Sequence, residues 1–273
     1  MKSASIKSVA IVVNSHKYAA SGTTESVAKY FEGMKIAVRI GESGKIDGNF
    51  FSSIGLCITV GGDGTLLHLA SDAAEKNVPL IGINCGHLGF LTALNRSNWA
   101  AVLPSMLEGK RHELQEHLLQ CSYGNANYYA LNDFVIKNRN SSRLFDVQVF
   151  VDDHLLNNYH SDGVIIATPL GSTAYNLSAG GAIVAPMVSA ISISPICPHS
   201  LSNRSIILPD SSRIKIQCTR AETHANLYAD GHDLPDPMEQ ECIFICRARR
   251  RVTIWQPENY SYYAVLRDKL SWK

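Results

Sequence analysis

A single carboxylate set among glycines, Gly61-Gly62-Asp63-Gly64-Thr65, stands directly after the apolar run Leu56-Cys57-Ile58-Thr59-Val60 and before an amphipathic segment. Glycines let the backbone approach a ligand closely, take dihedrals that a side chain forbids, and leave N–H groups to face an anion. A helix starting near Thr65 would add the positive end of its dipole at the same place, so the stretch has the chemistry of a phosphate cradle with a carboxylate beside it. The same residues also fit a plainer end, a tight turn in which Asp63 or Thr65 caps the helix. A second stretch runs from Ser161-Asp162-Gly163 through the apolar Val164 to Ala167 into a segment ending at Gly181 that is dense in small, hydroxylated and glycine residues. Hydroxyls there can bond ribose or phosphate oxygens, and Tyr175 offers an aromatic face for a base; the alternative is a Ser/Thr-rich turn with Tyr175 filling core.

The elements that must hold these stretches follow from hydrophobic periodicity. Residues 7–14, 36–40, 56–60 and 79–84 read as strands, the last continuously apolar as a parallel strand buried on both faces should be. A helix capped by Thr23 or Thr24 follows the first. Another carries Leu66, Leu69, Ala70, Ala73 and Ala74 on one face, and a third, capped near Ser97, carries Trp99, Val102, Leu103, Met106 and Leu107 and closes at Gly109. Strand, helix and strand alternate, which predicts an α/β N-terminal domain with a parallel, Rossmann-like sheet. The glycine-bearing loop Asn84 to Leu91 leaves the carboxyl end of a strand, the edge where ligands gather in such sheets.

Beyond residue 110 the pattern changes to alternation, as in Val147, Val149 and Val151 or Ile214, Ile216 and Cys218, with turn signals at Gly124-Asn125, Asp152-Asp153, Pro209-Asp210 and Asp230-Gly231. The expectation is a mostly antiparallel all-β C-terminal domain. Domain limits are set at 1–110 for the α/β domain, 111–255 for the β domain and 256–273 for a segment that returns to the first. Asp152 and Asp153 read as a solvated turn, and the basic run Arg247 to Arg251 as a charged edge that discourages sheet pairing.

At 273 residues the chain is long enough for two cores, and its formal net charge of +1 gives no global field for nucleic acid or a membrane surface. The apolar run Val9 to Val13 is too brief for a signal peptide or a membrane span, so a cytoplasmic protein is expected. Seven cysteines without a Cys-x-x-Cys pair fit a reducing compartment, and Cys242 and Cys246, four apart on a strand, read as packing residues ahead of metal ligands.

Taken together, Gly-Gly-Asp-Gly-Thr at 61–65, Asn132-Asp133 in Leu-Asn-Asp-Phe-Val-Ile, and Asp162-Gly163 leading into Ala-Thr-Pro-Leu-Gly-Ser-Thr-Ala-Tyr-Asn-Leu-Ser-Ala-Gly-Gly resemble, in order and spacing, the motif set of the NAD kinases. The likeness extends to Gly86-His87-Leu88-Gly89-Phe90, to Cys197-Pro198-His199-Ser200-Leu201 and to the tail Tyr263 to Trp272. The glycine-aspartate signature alone is shared with diacylglycerol kinases and phosphofructokinases, whereas the full set is specific. The resemblance implies phosphorylation of the adenosine-ribose 2′-hydroxyl of NAD, with ATP or polyphosphate as donor and a divalent metal, magnesium, carried with the donor; it names no protein metal ligand.

It further implies that Asp63 takes the proton from that hydroxyl and that Gly64 lies at the diphosphate, with His68 and Phe90 lining the same cleft between the domains. Asn132 and Asp133 match the pair that binds the dinucleotide, and Arg143, His160 and Asp162 match further contacts along it. Thr173, Ala174, Tyr175, Asn176, Leu177 and Ser178 match the loop around its nicotinamide and adenine halves, and His232 a late polar contact. Asp133 stands where glutamate is frequent, Leu170 where threonine is, and His68 and His160 where arginine or lysine often occurs. A homodimer or homotetramer is implied as well. Two rivals remain at this stage: a lipid or sugar-phosphate kinase of the same signature, opposed by the dinucleotide set in the β half, and a silent NAD-binding sensor, opposed by the presence of Asp63.

Overall fold

The computed structural model describes residues 6–14, 18–86, 89–138, 145–218, 225–237 and 241–272. The chain divides into two compact units, Met1–Glu116 with Arg250–Lys273, and His117–Arg249.

The first unit is built from β1 (Ser8–Val13), α1 (Tyr18–Gly33), β2 (Ala37–Glu42), β3 (Leu56–Gly61), α2 (Asp63–Lys76), β4 (Leu80–Asn84), the short β5 (Leu94–Asn95) and α3 (Trp99–Leu107). Its sheet is parallel: β1 lies between β2 and β3, and β3 pairs with β4 from Cys57↔Leu80 to Gly61↔Asn84. β3 and β4 are buried at every position, which is why they read as unbroken apolar runs. The buried positions of α2 are Thr65, Leu66, Leu69, Ala70, Ala73 and Ala74, the stripe that the periodicity predicts plus Thr65. α1 begins before the threonines expected to cap it; Thr24 lies inside the helix, where its hydroxyl donates back to the Ala20 carbonyl at 2.7 Å. At α3 the N-cap position is Asn98, and the turn before it is organised by Asn95, whose side-chain oxygen accepts from the Ser97 N–H and hydroxyl and the Asn98 N–H.

β6 (Arg111–Tyr123) carries the chain into the second unit, followed by β7 (Ala126–Ala130), β8 (Asp133–Asn138), β9 (Phe145–Val151), β10 (His154–Ser161), β11 (Gly163–Ala167), a 3-10 turn (Leu170–Thr173), α4 (Tyr175–Ser178), β12 (Ala190–Ile196), β13 (Ile206–Pro209), β14 (Ile214–Cys218), β15 (Ala225–Ala229) and β16 (His232–Asp233). β17 (Ile243–Pro257) returns to the first unit, which ends in α5 (Tyr262–Leu270). One antiparallel sheet has the order β13-β12-β11-β8-β15-β16; β10, β9, β14 and the start of β17 form another antiparallel run. Phe134, Ile136, Val164, Ile166 and Leu227 of the first meet Val147, Val149, Ile214, Ile216 and Ile245 of the second in one core. The fold is therefore an α/β domain with a parallel sheet joined to an antiparallel β domain.

The predicted turns occur, and their geometry explains their residues. Asp152 and Asp153 both have positive φ, as do Asp230 and Gly231, the mark of a two-residue hairpin turn that Asp, Asn and Gly tolerate best. The segment after Ala167 is less open than its composition implies, since most of it is coiled into the 3-10 turn and α4. The Arg247 to Arg251 run departs from its reading as an edge. β17 has β14 on one side early in its course and β4 at Ile254, and Arg247 and Arg250 are neutralised by Asp210 and Glu75. Cys246 lies on β17, Cys242 just before it, and both are only partly buried. Among the described residues no helix is long and apolar enough to cross a membrane.

Candidate active site

The chemistry of the first unit gathers where β3 and β4 end. Gly62 occupies the N-cap position of α2 with no side-chain cap, so Asp63 is the first helical residue and its carboxylate is turned elsewhere. Oδ2 accepts from the Phe90 N–H at 2.7 Å; Oδ1 accepts from the N–H groups of Leu91 and Thr92 at 3.2 and 3.0 Å and from the Thr92 hydroxyl at 2.8 Å. Residues 90–92 thus fold around Asp63 as an anion cradle. Gly89 is required for that approach, because a Cβ there would lie 1.9 Å from Oδ1. A carboxylate has about four lone-pair sites, two on each oxygen. Among the described residues three donors crowd Oδ1 and one reaches Oδ2, which leaves room on Oδ2 for one further hydrogen bond.

Two supports lie behind this arrangement. The Asn84 side chain donates to the Thr92 hydroxyl at 2.9 Å and accepts from the Gly86 N–H at 2.7 Å, locking both ends of the loop to the end of β4. From the tail, Tyr260 donates to the Phe90 carbonyl at 3.0 Å, and the rings of Tyr262 and Phe90 meet 6.2 Å apart. Gly64 and His68, one turn apart on α2, are exposed, and a Cβ at Gly64 would meet nothing within 4 Å. On the same strand-end edge, α1 and the loops after β4 and β5 enclose a cavity of ≈ 770 Å³ lined by Thr23, Ser26, Asn84, Cys85, Arg96 and Trp99 among others. Among the described residues its lining includes the cation Arg96 and no carboxylate, and Asn84 connects it to Asp63 through Thr92.

The second unit repeats the device of a clamped carboxylate. Asp230 accepts from the N–H groups of Leu131 at 2.8 Å, Asn132 at 2.7 Å and Asp133 at 3.2 Å. The facing carbonyls are tied as well: Leu131 to the Thr168 hydroxyl, Asn132 to the Thr168 N–H, and Asp133 to the Asp230 N–H. Gly171 packs so closely on Asn132 that a Cβ would lie 2.1 Å from its carbonyl oxygen. Every backbone polar group of 131–133 is thereby held, which fixes where Asn132 and Asp133 stand. Asp133 is buried, and burial first, then the charge of Asp230, pushes its carboxyl up to about 7. Burial also raises Asp230, against the opposing pull of its three N–H donors and of His232, which is exposed at the start of β16.

The other expected contacts differ in their surroundings. His160 pairs through Nδ1 with Asp146 at 2.7 Å and its ring lies 5.8 Å from that of His199, while Asp162 is half-buried at the turn into β11. Thr173, Ala174, Tyr175 and Leu177 are half-buried and Ser178 is exposed; Tyr175 packs against Val135 and Ile165 with the Lys137 ammonium 4.4 Å from its ring centroid. Asn176 is fully buried, donating to Ala182 and Ser172 carbonyls and accepting from the Ser194 hydroxyl at 2.6 Å, so its side chain shapes the loop from within. Arg143 lies outside the described residues. Asp230 and Thr168 are the residues that sequence reading passed over: Asp-Gly signalled only a turn, and nothing local marks a partner that lies 97 to 99 residues away. Among the described residues no three His, Cys, Asp or Glu side chains group as a metal centre would require.

Residues 14–111 match the ATP-NAD kinase N-terminal domain and residues 131–256 the ATP-NAD kinase C-terminal domain. The NAD kinase of Aromatoleum aromaticum is 34% identical over 286 residues, spanning 97% of this chain and 95% of that one. That of Azoarcus sp. BH72 is 38% identical over 222 residues, 80% of this chain and 75% of its own. Of solved structures, yeast NADH kinase complexed with NADH superposes with a TM-score of 0.85 at 26% identity, covering 97% of this chain and 87% of that one. The NAD kinase from Archaeoglobus fulgidus in complex with ATP shares the fold, with a TM-score of 0.80 at 22% identity over 97% and 99% of the two chains.

Proposed function

The chain belongs to the NAD kinase family, and on that premise we propose that it transfers the terminal phosphoryl group of ATP, or of polyphosphate, to the adenosine-ribose 2′-hydroxyl of NAD to give NADP. The observation that carries this reading is the state of Asp63, a carboxylate held by four donors among the described residues, none of which takes the second lone-pair position of Oδ2. A ribose hydroxyl is a poor nucleophile. A carboxylate within hydrogen-bond reach orients it and accepts its proton as the oxygen–phosphorus bond forms and the bond to the leaving diphosphate breaks. Because the cradle fixes Asp63, orientation costs no rearrangement when the hydroxyl arrives.

Gly64 and the first turn of α2 take the NAD diphosphate at their N–H groups, with His68 and Phe90 alongside. Asn132 and Asp133, fixed by Asp230, hold the dinucleotide, together with Arg143, His160, Asp162, the 173–178 segment and His232. Asn176 does so by shaping that segment. Magnesium, which prefers phosphate oxygens and water to a protein cage, rides with the donor and neutralises its phosphates. The donor enters the polar cavity of the first unit, where Arg96 and, among the described residues, a lining without carboxylates suit polyanionic phosphate, and whose wall reaches Asp63 through Asn84 and Thr92. The protein acts in the cytoplasm, and the family likeness supports a homodimer or homotetramer.

The purified chain is expected to form NADP from NAD with magnesium-ATP or with polyphosphate; no product with either donor would sink the proposal. Arg96→Glu should raise the KM for ATP about tenfold, the cost of roughly 1.4 kcal/mol in donor binding, and leave the KM for NAD within about twofold. Equal rises in both constants would remove the donor from that cavity.

A further inference from the structure

We infer that Tyr260 is a positioning residue for Asp63, acting through the peptide group that joins Phe90 to Leu91. This inference rests on the role proposed for Asp63. The Tyr260 hydroxyl donates to the oxygen of that peptide at 3.0 Å, and the N–H of the same peptide, on Leu91, donates to Asp63 Oδ1 at 3.2 Å. A peptide group is conjugated, so a donor on its oxygen draws electron density from the nitrogen and makes the N–H a stronger donor. The hydroxyl therefore reaches Asp63 without touching it, one conjugated unit away.

The surroundings are built to keep Tyr260 in place. Its own N–H closes a turn onto the Pro257 carbonyl at 2.9 Å, immediately after β17. The next residue, Ser261, caps α5 by accepting from the Ala264 N–H, and Val265 and Leu266 bury the helix. Tyr262 then lays its ring against Phe90, the residue whose N–H holds Oδ2. The phenol is pushed up to about 12 by burial, then by the charge of Asp63 and by Tyr262, so it stays a donor throughout the neutral range. The tail thus contributes a hydroxyl that stiffens the anion cradle, over and above its apolar anchoring.

Tyr260→Phe keeps the ring and removes this donor from the Phe90 carbonyl. In the full-length protein it should lower kcat about tenfold, the equivalent of one modest hydrogen bond, with the KM values for NAD and ATP within about twofold. Hydrogen exchange at the Phe90 and Leu91 amides should quicken in parallel. An unchanged kcat, or a loss confined to KM, overturns the inference, while a natural chain that makes no NADP overturns the parent reading instead. If Tyr260→Phe does not fold, 3-fluorotyrosine at this position decides. It retains the hydroxyl as a stronger donor, so hydrogen exchange at the Leu91 amide should be slower than in the natural chain, and unchanged or faster exchange would refute the role.

Discussion

Asp63→Asn is expected to cut kcat about 10³-fold, within the range that a positioned general base supplies, while NAD still binds with near-natural affinity. The substitution is close to isosteric, so its effect comes from the two things an amide cannot do. First, an amide has one acceptor oxygen where the cradle presents donors to both. The carbonyl will turn toward Leu91, Thr92 and the Thr92 hydroxyl, the three-donor side. The NH2 group then faces the Phe90 N–H, which donates to Oδ2 at 2.7 Å in the natural chain, and donor meets donor. Second, the position left for the ribose hydroxyl becomes an N–H, which cannot accept the hydroxyl proton. Binding survives because the dinucleotide contacts are assigned mainly to other residues. Steady-state NADP formation beside calorimetric NAD titration separates the two effects, and a variant within about threefold of the natural kcat would remove Asp63 from the chemistry.

The elements around that carboxylate were largely legible in the sequence, because parallel strands buried on both faces write continuous apolar runs and α2 writes a clean stripe. Hairpin turns were legible for a similar reason: Asp-Asp and Asp-Gly suit left-handed backbone wherever they occur. What was not legible depends on residues far apart in the chain. The glycine loop after β4 could be placed at a ligand-binding edge, but nothing in Gly89-Phe90-Leu91-Thr92 says that its N–H groups converge on Asp63. The helix start was misplaced by two residues because Asp63 and Thr65 both look like caps, whereas the N-cap is Gly62 and the Asp63 carboxylate has stronger partners. The arginine run looked like an edge because charge is a local property, while the place of β17 beside β14 and β4 is set by pairing.

Asp230→Asn should raise the KM for NAD at least about tenfold with a smaller change in kcat, the reverse of the Asp63 result, because it loosens the platform under Asn132 and Asp133. One amide oxygen cannot serve three N–H groups that now converge on two carboxylate oxygens, and an unsatisfied buried donor costs about 1–3 kcal/mol. The variant also carries a pH signature that a merely loosened loop would lack. Asp133 ionises in the folded chain only near 7, against about 4 in the unfolded chain, so between those values the folded state binds the extra proton. Stability from this group is therefore full at low pH and falls as pH rises through that window. The charge of Asp230 is one cause of the raised value, so its removal brings Asp133 back toward the ordinary carboxylate range and also deletes Asp230's own raised ionisation. Urea unfolding between about pH 5 and pH 8 should accordingly show a shallower decline for Asp230→Asn than for the natural chain. Parallel curves would mean that the two carboxylates do not sense each other, and an unchanged KM would mean that the clamp on 131–133 does not govern how the dinucleotide is held.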